Sequence, residues 1–173
     1  ACGLNITGQL GNKTNDDVND YDKIMNDVAI IAAGGNHSLI LKNDCTLWAC
    51  GWNSSGQLGN GTNVDKNVPV SIMNDVANIA AGARHSLILK NDGSLWACGD
   101  NSYGQLGNKS NDNLNNYEKI MNDVANIAAG GNHSLILKND GSLWACGYNN
   151  AGQLGDGTTQ ERNTPICVVP KIQ

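Results

Sequence analysis

The chain has 173 residues, a formal net charge of −5, and 21 glycines against no phenylalanine. Its few lysines and arginines form no cluster, so the basic footprint of a nucleic-acid binder is missing. No apolar run approaches the roughly 18 residues a membrane-spanning helix needs, and the length suits one domain, 1–173.

The chain opens inside a repeat. Ala1-Cys-Gly3 matches Ala49-Cys-Gly51, so residues 1–24 read as a partial unit: the end of a third strand, a loop, and a fourth strand at Tyr21–Ile24. Such a start fits a processed, excised or incompletely known chain. Three whole units follow, 25–72, 73–120 and 121–173. Their period is rigid: His37, His85 and His133 are 48 residues apart, as are Met25, Met73 and Met121, and Trp48, Trp96 and Trp144. Gly-Gln-Leu-Gly begins at Gly8, Gly56, Gly104 and Gly152. A fixed spacing of this length signals stacked supersecondary units.

Within the last unit, Val124–Gly131 is a first strand of small residues, suited to a place where backbones crowd. His133–Lys138 is a second strand and Ser142–Cys146 a third. Asp140-Gly141 between them predicts a primed hairpin turn, with glycine supplying φ > 0. Alternation places Ser134 and Ile136 on one face and Leu135 and Leu137 on the other, so both faces are oily and the sheet must be covered twice. The fourth strand varies. Val68–Ile72 and Thr164–Pro170 carry Pro69 and Pro165, whereas Tyr21–Ile24 and Tyr117–Ile120 do not. Proline confines this strand to an outer edge and discourages stray pairing. Four short antiparallel strands per unit, dry on both faces, predict all-β propeller blades, about three and a half per chain. An unrelated β-sandwich needs no fixed period, and a β-helix repeats faster.

A finer alternation runs above the repeat. The loop from Asn12 resembles that from Asn108, and the Asn60-Gly-Thr loop resembles Asp156-Gly-Thr, as if a two-blade unit had been duplicated recently or by design. The 27 asparagines read as turn chemistry with genomic bias.

Candidate chemistry is sparse. His37, His85 and His133 recur at one place in every unit, which points to hydrogen bonds holding each blade together rather than to catalysis. Each is followed by Ser on the opposite strand face, so the two make no nucleophile pair. Gln9, Gln57, Gln105 and Gln153 are expected to clip their loops to the blade. Cys2, Cys50, Cys98 and Cys146 occupy one repeated position, too far apart for disulfides, and read as small buried hydrophobes. Cys45 replaces the turn glycine of Gly93 and Gly141, and Cys167 lies on a fourth strand near that of Cys146. No Cys-x-x-Cys suggests zinc, and Asn15–Asp20 lacks the ordered ligand pattern of a calcium loop. No cofactor or metal is expected, and no enzyme.

Binding should sit where repeats differ. The variable positions are Leu4, Trp52, Asp100 and Tyr148 after the third strand, then Thr7, Ser55, Tyr103 and Ala151, and Asn36, Arg84 and Asn132 before the histidine. In a ring these share one rim. Trp, Tyr and Arg are the anchors that interfaces favour, so Trp52, Arg84, Asp100, Tyr103 and Tyr148 are the candidate partner-binding residues.

The combined pattern Ala-Gly-x-x-His-Ser-Leu-x-Leu, Asp-Gly-x-Leu-Trp-x-x-Gly-x-Asn and Gly-Gln-Leu-Gly-x-Gly-Thr resembles the regulator of chromosome condensation repeat over essentially the whole chain. The resemblance implies a β-propeller, usually seven-bladed, and protein-binding roles: guanine-nucleotide exchange on a small GTPase, ubiquitin-ligase scaffolds, or inhibition of β-lactamases. The chain departs from the pattern in having too few repeats for seven blades and Cys where many members have a second Trp. It also lacks the inserted wedge of an exchange factor. The expected function is a non-enzymatic module binding a protein through one rim. The alternatives are a fragment that self-associates into a closed ring, a homodimer supplying about seven repeats, and exchange-factor-like binding of a GTPase. A soluble chain is expected, cytoplasmic or secreted after processing.

Overall fold

The Asn-Asp-Gly segments do turn the chain between strands, but not through a primed turn. In the computed structural model, which describes residues 1–171, Gly93 N–H donates to the Lys90 carbonyl (3.0 Å) and Lys90 N–H to the Ser94 carbonyl (2.9 Å). Positive φ falls on Gly93 alone, at 77°. This is a type I turn closed by a left-handed residue in a G1 bulge. The aspartate explains the choice. Asp92 Oδ1 accepts from the Ser94 backbone N–H at 2.9 Å, and Ser94 Oγ in turn accepts from Trp96 Nε1 at 2.9 Å. The Ser94 hydroxyl and then its backbone N–H, both donating to the Asp92 carboxylate, hold the turn and keep that carboxyl below its ordinary range. Asp140 with Ser142 and Trp144 repeats the arrangement.

Cys45 takes the left-handed place in the first hairpin, at φ 64°. A Cβ there crowds the backbone by about 1 kcal/mol or more, and Gly93 and Gly141 show the glycine this turn prefers. Cys45→Gly is expected to raise stability by about 0.5–1 kcal/mol, allowing for the freer unfolded chain. The measurement is a higher urea midpoint at unchanged slope. A lower midpoint would mean that the thiol side chain packs usefully.

The described residues form twelve strands in three antiparallel sheets, each a propeller blade. The first holds β1 (Val28–Ala33), β2 (His37–Lys42), β3 (Leu47–Gly51) and β4 (Lys66–Met73) in that order. The second holds β5 (Val76–Ala81), β6 (His85–Lys90), β7 (Leu95–Gly99) and β8 (Leu114–Met121). The third holds β9 (Val124–Ala129), β10 (His133–Lys138), β11 (Leu143–Gly147) and β12 (Arg162–Val169). Met73 pairs with Leu47 and Met121 with Leu95, so these two methionines close a fourth strand instead of opening the next unit. No helix of the described residues is long and apolar enough to cross a membrane.

Tyr21–Ile24 does not form the expected strand. Its ladder is present in outline: Gly3 bridges Val18, and Ala1 and Asp22 exchange backbone hydrogen bonds. These pairs repeat Gly51 with Lys66 and Ala49 with Val70 one period later. With only Ala1–Gly3 to pair against, the ladder is too short to hold a regular strand.

The core lies between sheets, and the two-residue alternation builds it. Leu39, Leu41, Leu47 and Ala49 of the first sheet pack against Val76, Ile79 and Ile88 of the second. Leu87, Leu89, Leu95 and Ala97 of the second sheet then pack against Val124, Ile127 and Ile136 of the third. At both seams a leucine face of one sheet thus meets a Val/Ile face of the next. Trp96 and Trp144 lie with that Val/Ile face, Trp96 in the first cluster and Trp144 in the second.

Candidate functional site

Two loops of each sheet meet at one rim, and backbone hydrogen bonds lock them together. Trp52 N–H donates to the Asn36 carbonyl (2.8 Å), Asp100 N–H to that of Arg84 (2.9 Å), and Tyr148 N–H to that of Asn132 (2.9 Å). The residue after each third strand is therefore held beside the residue before that sheet's histidine. Side chains then reach across to the neighbouring sheet. The Arg84 guanidinium stacks on the Trp52 ring at 5.0 Å, joining the second sheet to the first. The Tyr103 and Tyr148 rings lie 4.7 Å apart at 60°, joining the second sheet to the third. Cation–π and tilted aromatic pairs of this kind pre-order side chains that would otherwise lose rotamer freedom on binding. A shallow pocket of about 470 Å³ adjoins Tyr103, lined also by Arg162, Asn163 and Ile166.

Asp100 is placed differently from the other four. It is 7% exposed, and its carboxylate accepts from Ser102 Oγ (2.7 Å) and Gln105 Nε2 (2.9 Å). Its charge is turned inward to shape the Tyr103 loop, so it offers little to an incoming partner.

His37 and His85 bind between blades, not within their own. His37 Nε2 lies 3.0 Å from Ser86 Oγ, and His85 Nε2 lies 3.1 Å from Ser134 Oγ. Each serine hydroxyl donates to a carbonyl of the Gly-Gln-Leu-Gly turn, Ser86 to Gln57 and Ser134 to Gln105, at 2.7 Å. A hydroxyl has one proton, so it accepts from the histidine, and Nε2 must be the protonated nitrogen. An imidazole that donates to a serine cannot serve as its base. Both groups are also sealed from solvent. Burial pushes the His37 pKa down to about 4 and that of His85 to about 3. The Ala-Gly-x-x-His spacing has a packing cause as well. A Cβ on Gly34 or Gly82 would overlap the imidazole of His37 or His85.

The glutamines also act across the seam. Their side chains brace their own turns, Gln57 Oε1 accepting from Ser55 N–H (3.1 Å), Gln153 Oε1 from Ala151 N–H (3.0 Å) and Gln9 Oε1 from Thr7 N–H (3.1 Å). Their carbonyls seat those turns on the following sheet, and Gln9 accepts from Ser38 Oγ at 2.7 Å in the same way. The clip inside each loop is an asparagine that the motif displays but the sequence reading passed over. Asn5, Asn53, Asn101 and Asn149 are fully buried. Asn53 Oδ1 accepts from Leu58 N–H (2.9 Å), while Nδ2 donates to Asn60 Oδ1 (3.1 Å) and the Thr62 carbonyl (2.9 Å). The available signal was recurrence of this Asn, without change, in all four loops.

The six cysteines are free thiols. Cys50 and Cys146 are buried under the turns, and burial pushes their pKa up to about 12. Cys167 lies opposite Trp144 in the ladder and is exposed. Among the described residues no His, Cys, Asp or Glu group is arranged to hold a metal ion.

Comparison with known proteins agrees with this geometry. A family model described as Regulator of chromosome condensation (RCC1) repeat matches residues 44–89, 92–137 and 140–172. A second with the same description matches 28–57, 76–105 and 124–153. No curated protein sequence matches the chain. Among solved structures, human WBSCR16 is similar at 25% identity and TM-score 0.82, over 94% of this chain and 45% of its own. Yeast RCC1 (Prp20), solved with Kap60 bound to it, gives 23% identity and TM-score 0.85 over 98% and 44%. Prp20p from Saccharomyces cerevisiae, described with its binding properties to Gsp1p and histones, gives 25% and 0.76 over 83% and 39%. The chain spans less than half the length of each of these proteins.

Proposed function

The chain belongs to the regulator of chromosome condensation (RCC1) repeat family, and on that footing we propose that it is a non-enzymatic protein-interaction module. It binds a protein partner through Trp52, Arg84, Tyr103 and Tyr148 on one rim. The observation that carries this reading is the pairing of these four across blade seams, Trp52 with Arg84 and Tyr103 with Tyr148. They are the residue types that concentrate binding energy, and stacking fixes them before a partner arrives. The related Prp20 propeller was solved with a protein bound, which supports the same class of role.

Trp52→Ala and Tyr148→Ala test the rim. The measurement is affinity capture of protein partners from cell extract, with thermal melts as the control for folding. Each variant is expected to lose tenfold or more of the captured partner, as removal of an anchor worth about 2 kcal/mol would cause. Capture unchanged in both variants, with melts unchanged, would remove the rim from the function.

A further inference from the structure

We infer that the rim between the first and second sheets is a seat for a carboxylate, and that the partner presents an acidic side chain, Asp or Glu, to Arg84 and Gln57. The inference rests on the rim reading above and names the chemical group that the rim takes.

Two donors at this seam have no acceptor. The Arg84 guanidinium is exposed and stacked on Trp52, and it makes no ion pair among the described residues, where the one ion pair joins Arg162 to Asp156 at 2.7 Å. The carboxylate beside it is already engaged. Asp100 bonds its backbone N–H to the Arg84 carbonyl, but its side chain is turned to Ser102 and Gln105. The second donor is the Gln57 amide. Gln57 is fully buried, and its Nε2 has no hydrogen-bond partner. A buried donor left unpaired is costly, so an acceptor brought from outside gains by meeting it. The two donors belong to adjoining segments. A Cβ placed on Gly99 would lie 2.5 Å from the Arg84 carbonyl oxygen and 3.2 Å from the Gln57 Cα.

The next repeat shows which group pairs with such an amide. Gln105 is braced as Gln57 is, its Oε1 accepting from Tyr103 N–H at 3.0 Å where Gln57 Oε1 accepts from Ser55 N–H at 3.1 Å. Gln105 Nε2 then donates to the Asp100 carboxylate at 2.9 Å. One period earlier the position of Asp100 is Trp52. The first loop therefore keeps the amide and lacks the carboxylate. The same seam adds a cation, since the residues equivalent to Arg84 are the uncharged Asn36 and Asn132. A guanidinium and a primary amide both offer N–H groups to carboxylate oxygens, and the charged donor makes the stronger bond. Stacking on Trp52 fixes the guanidinium plane before the partner arrives. Asp100 reaches its amide from a side chain, which favours an acidic side chain over a chain terminus as the occupant.

The probe is N-acetylglutamate α-amide, titrated into the full chain labelled with nitrogen-15. N-acetylglutamine α-amide is its uncharged match, and N-acetylalanine carries only a terminal carboxylate. Saturable shifts of the Arg84 Nε–H and Gln57 Nε2 resonances are expected with the glutamate probe, at a dissociation constant on the order of 10 mM. The glutamine probe should produce none. Arg84→Gln should weaken binding at least fivefold. Trp52→Asp supplies the carboxylate from within, so it should abolish probe binding and bring the Gln57 amide resonances to those of Gln105. Equal response to the glutamate and glutamine probes, tighter binding of N-acetylalanine, or Gln57 resonances unmoved by Trp52→Asp overturns the inference. Partner capture that Tyr148→Ala abolishes, by a chain that does not bind the glutamate probe, would leave the rim reading standing and remove the carboxylate seat alone.

Discussion

Ile79→Ala is expected to destabilise the protein by about 3 kcal/mol, and Ile31→Ala, the same change one period earlier, by less than about 0.5 kcal/mol. The two isoleucines sit on equivalent strands that differ in sequence only at the preceding residue, Ile30 in the first and Asn78 in the second. Ile79 of β5 is closed in by the leucine face of the first sheet, with Leu39, Leu41 and Leu47 in its cluster. Cutting it to alanine removes buried methylenes and leaves a cavity that two stiff sheets cannot collapse to fill. Ile31 of β1 is 75% exposed, so its truncation exposes nothing that was dry. The check is urea unfolding of both variants. Equal losses would mean that the stability of a blade resides within its own four strands. The predicted asymmetry means that it resides in the contact between blades, as nearest-neighbour accounts of repeat proteins require.

Acidification should unfold the chain well above the range in which its carboxylates titrate. His37 and His85 are held neutral, with pKa values near 4 and 3 against 6.5 for the free side chain. Desolvation by burial is the principal cause at both. Below 6.5 the unfolded chain takes up protons that the folded chain refuses, so stability falls as pH falls. It is complete above 6.5 and is lost progressively toward pH 4. Each histidine contributes a slope of about 1.4 kcal/mol per pH unit in that window, so the pair costs roughly 4 kcal/mol between pH 6.5 and pH 5. The measurement is the urea midpoint at pH 7, 6 and 5. Replacing both histidines with Gln lowers stability at pH 7 but should flatten the dependence between pH 6.5 and 5. A slope unchanged in the double variant would assign the acid sensitivity to other groups. His133, on the last of the described sheets and half-buried, also has its pKa lowered by burial, and should matter less.

Sequence pattern and structure part company at the seams. Alternation of Leu and Ile along His85–Lys90 was enough to show a sheet dry on both faces, because side chains on a strand alternate strictly. The same string could not say which partner each histidine meets. His37 and Ser86 are 49 residues apart, and the serine adjacent to His37 in the chain points the other way. The primed turn was misread for a related reason. Asp-Gly marks a hairpin, but the side chain of Asp92 bonding to Ser94 selects the turn type. Asp100 looked like a rim charge because position alone was visible, not the Gln105 amide that draws it inward. The asparagine clips share their residue type with ordinary turn residues, and it is the fold that buries one Asn per loop and bonds both ends of its amide.

The order of strands, their length, the oily character of both faces and the edge role of Pro69 and Pro165 all follow from local chemistry repeated at a fixed interval. Each depends on residues close together in the chain. The histidine–serine bonds, the seating of each Gln carbonyl on the next sheet and the stacking of Arg84 on Trp52 depend on how one blade rotates against another. That rotation is set by packing of leucines against valine and isoleucine across the seam. Only the assembled sheets could therefore reveal that the ends differ from the middle, leaving Ile31 open to solvent where Ile79 is enclosed.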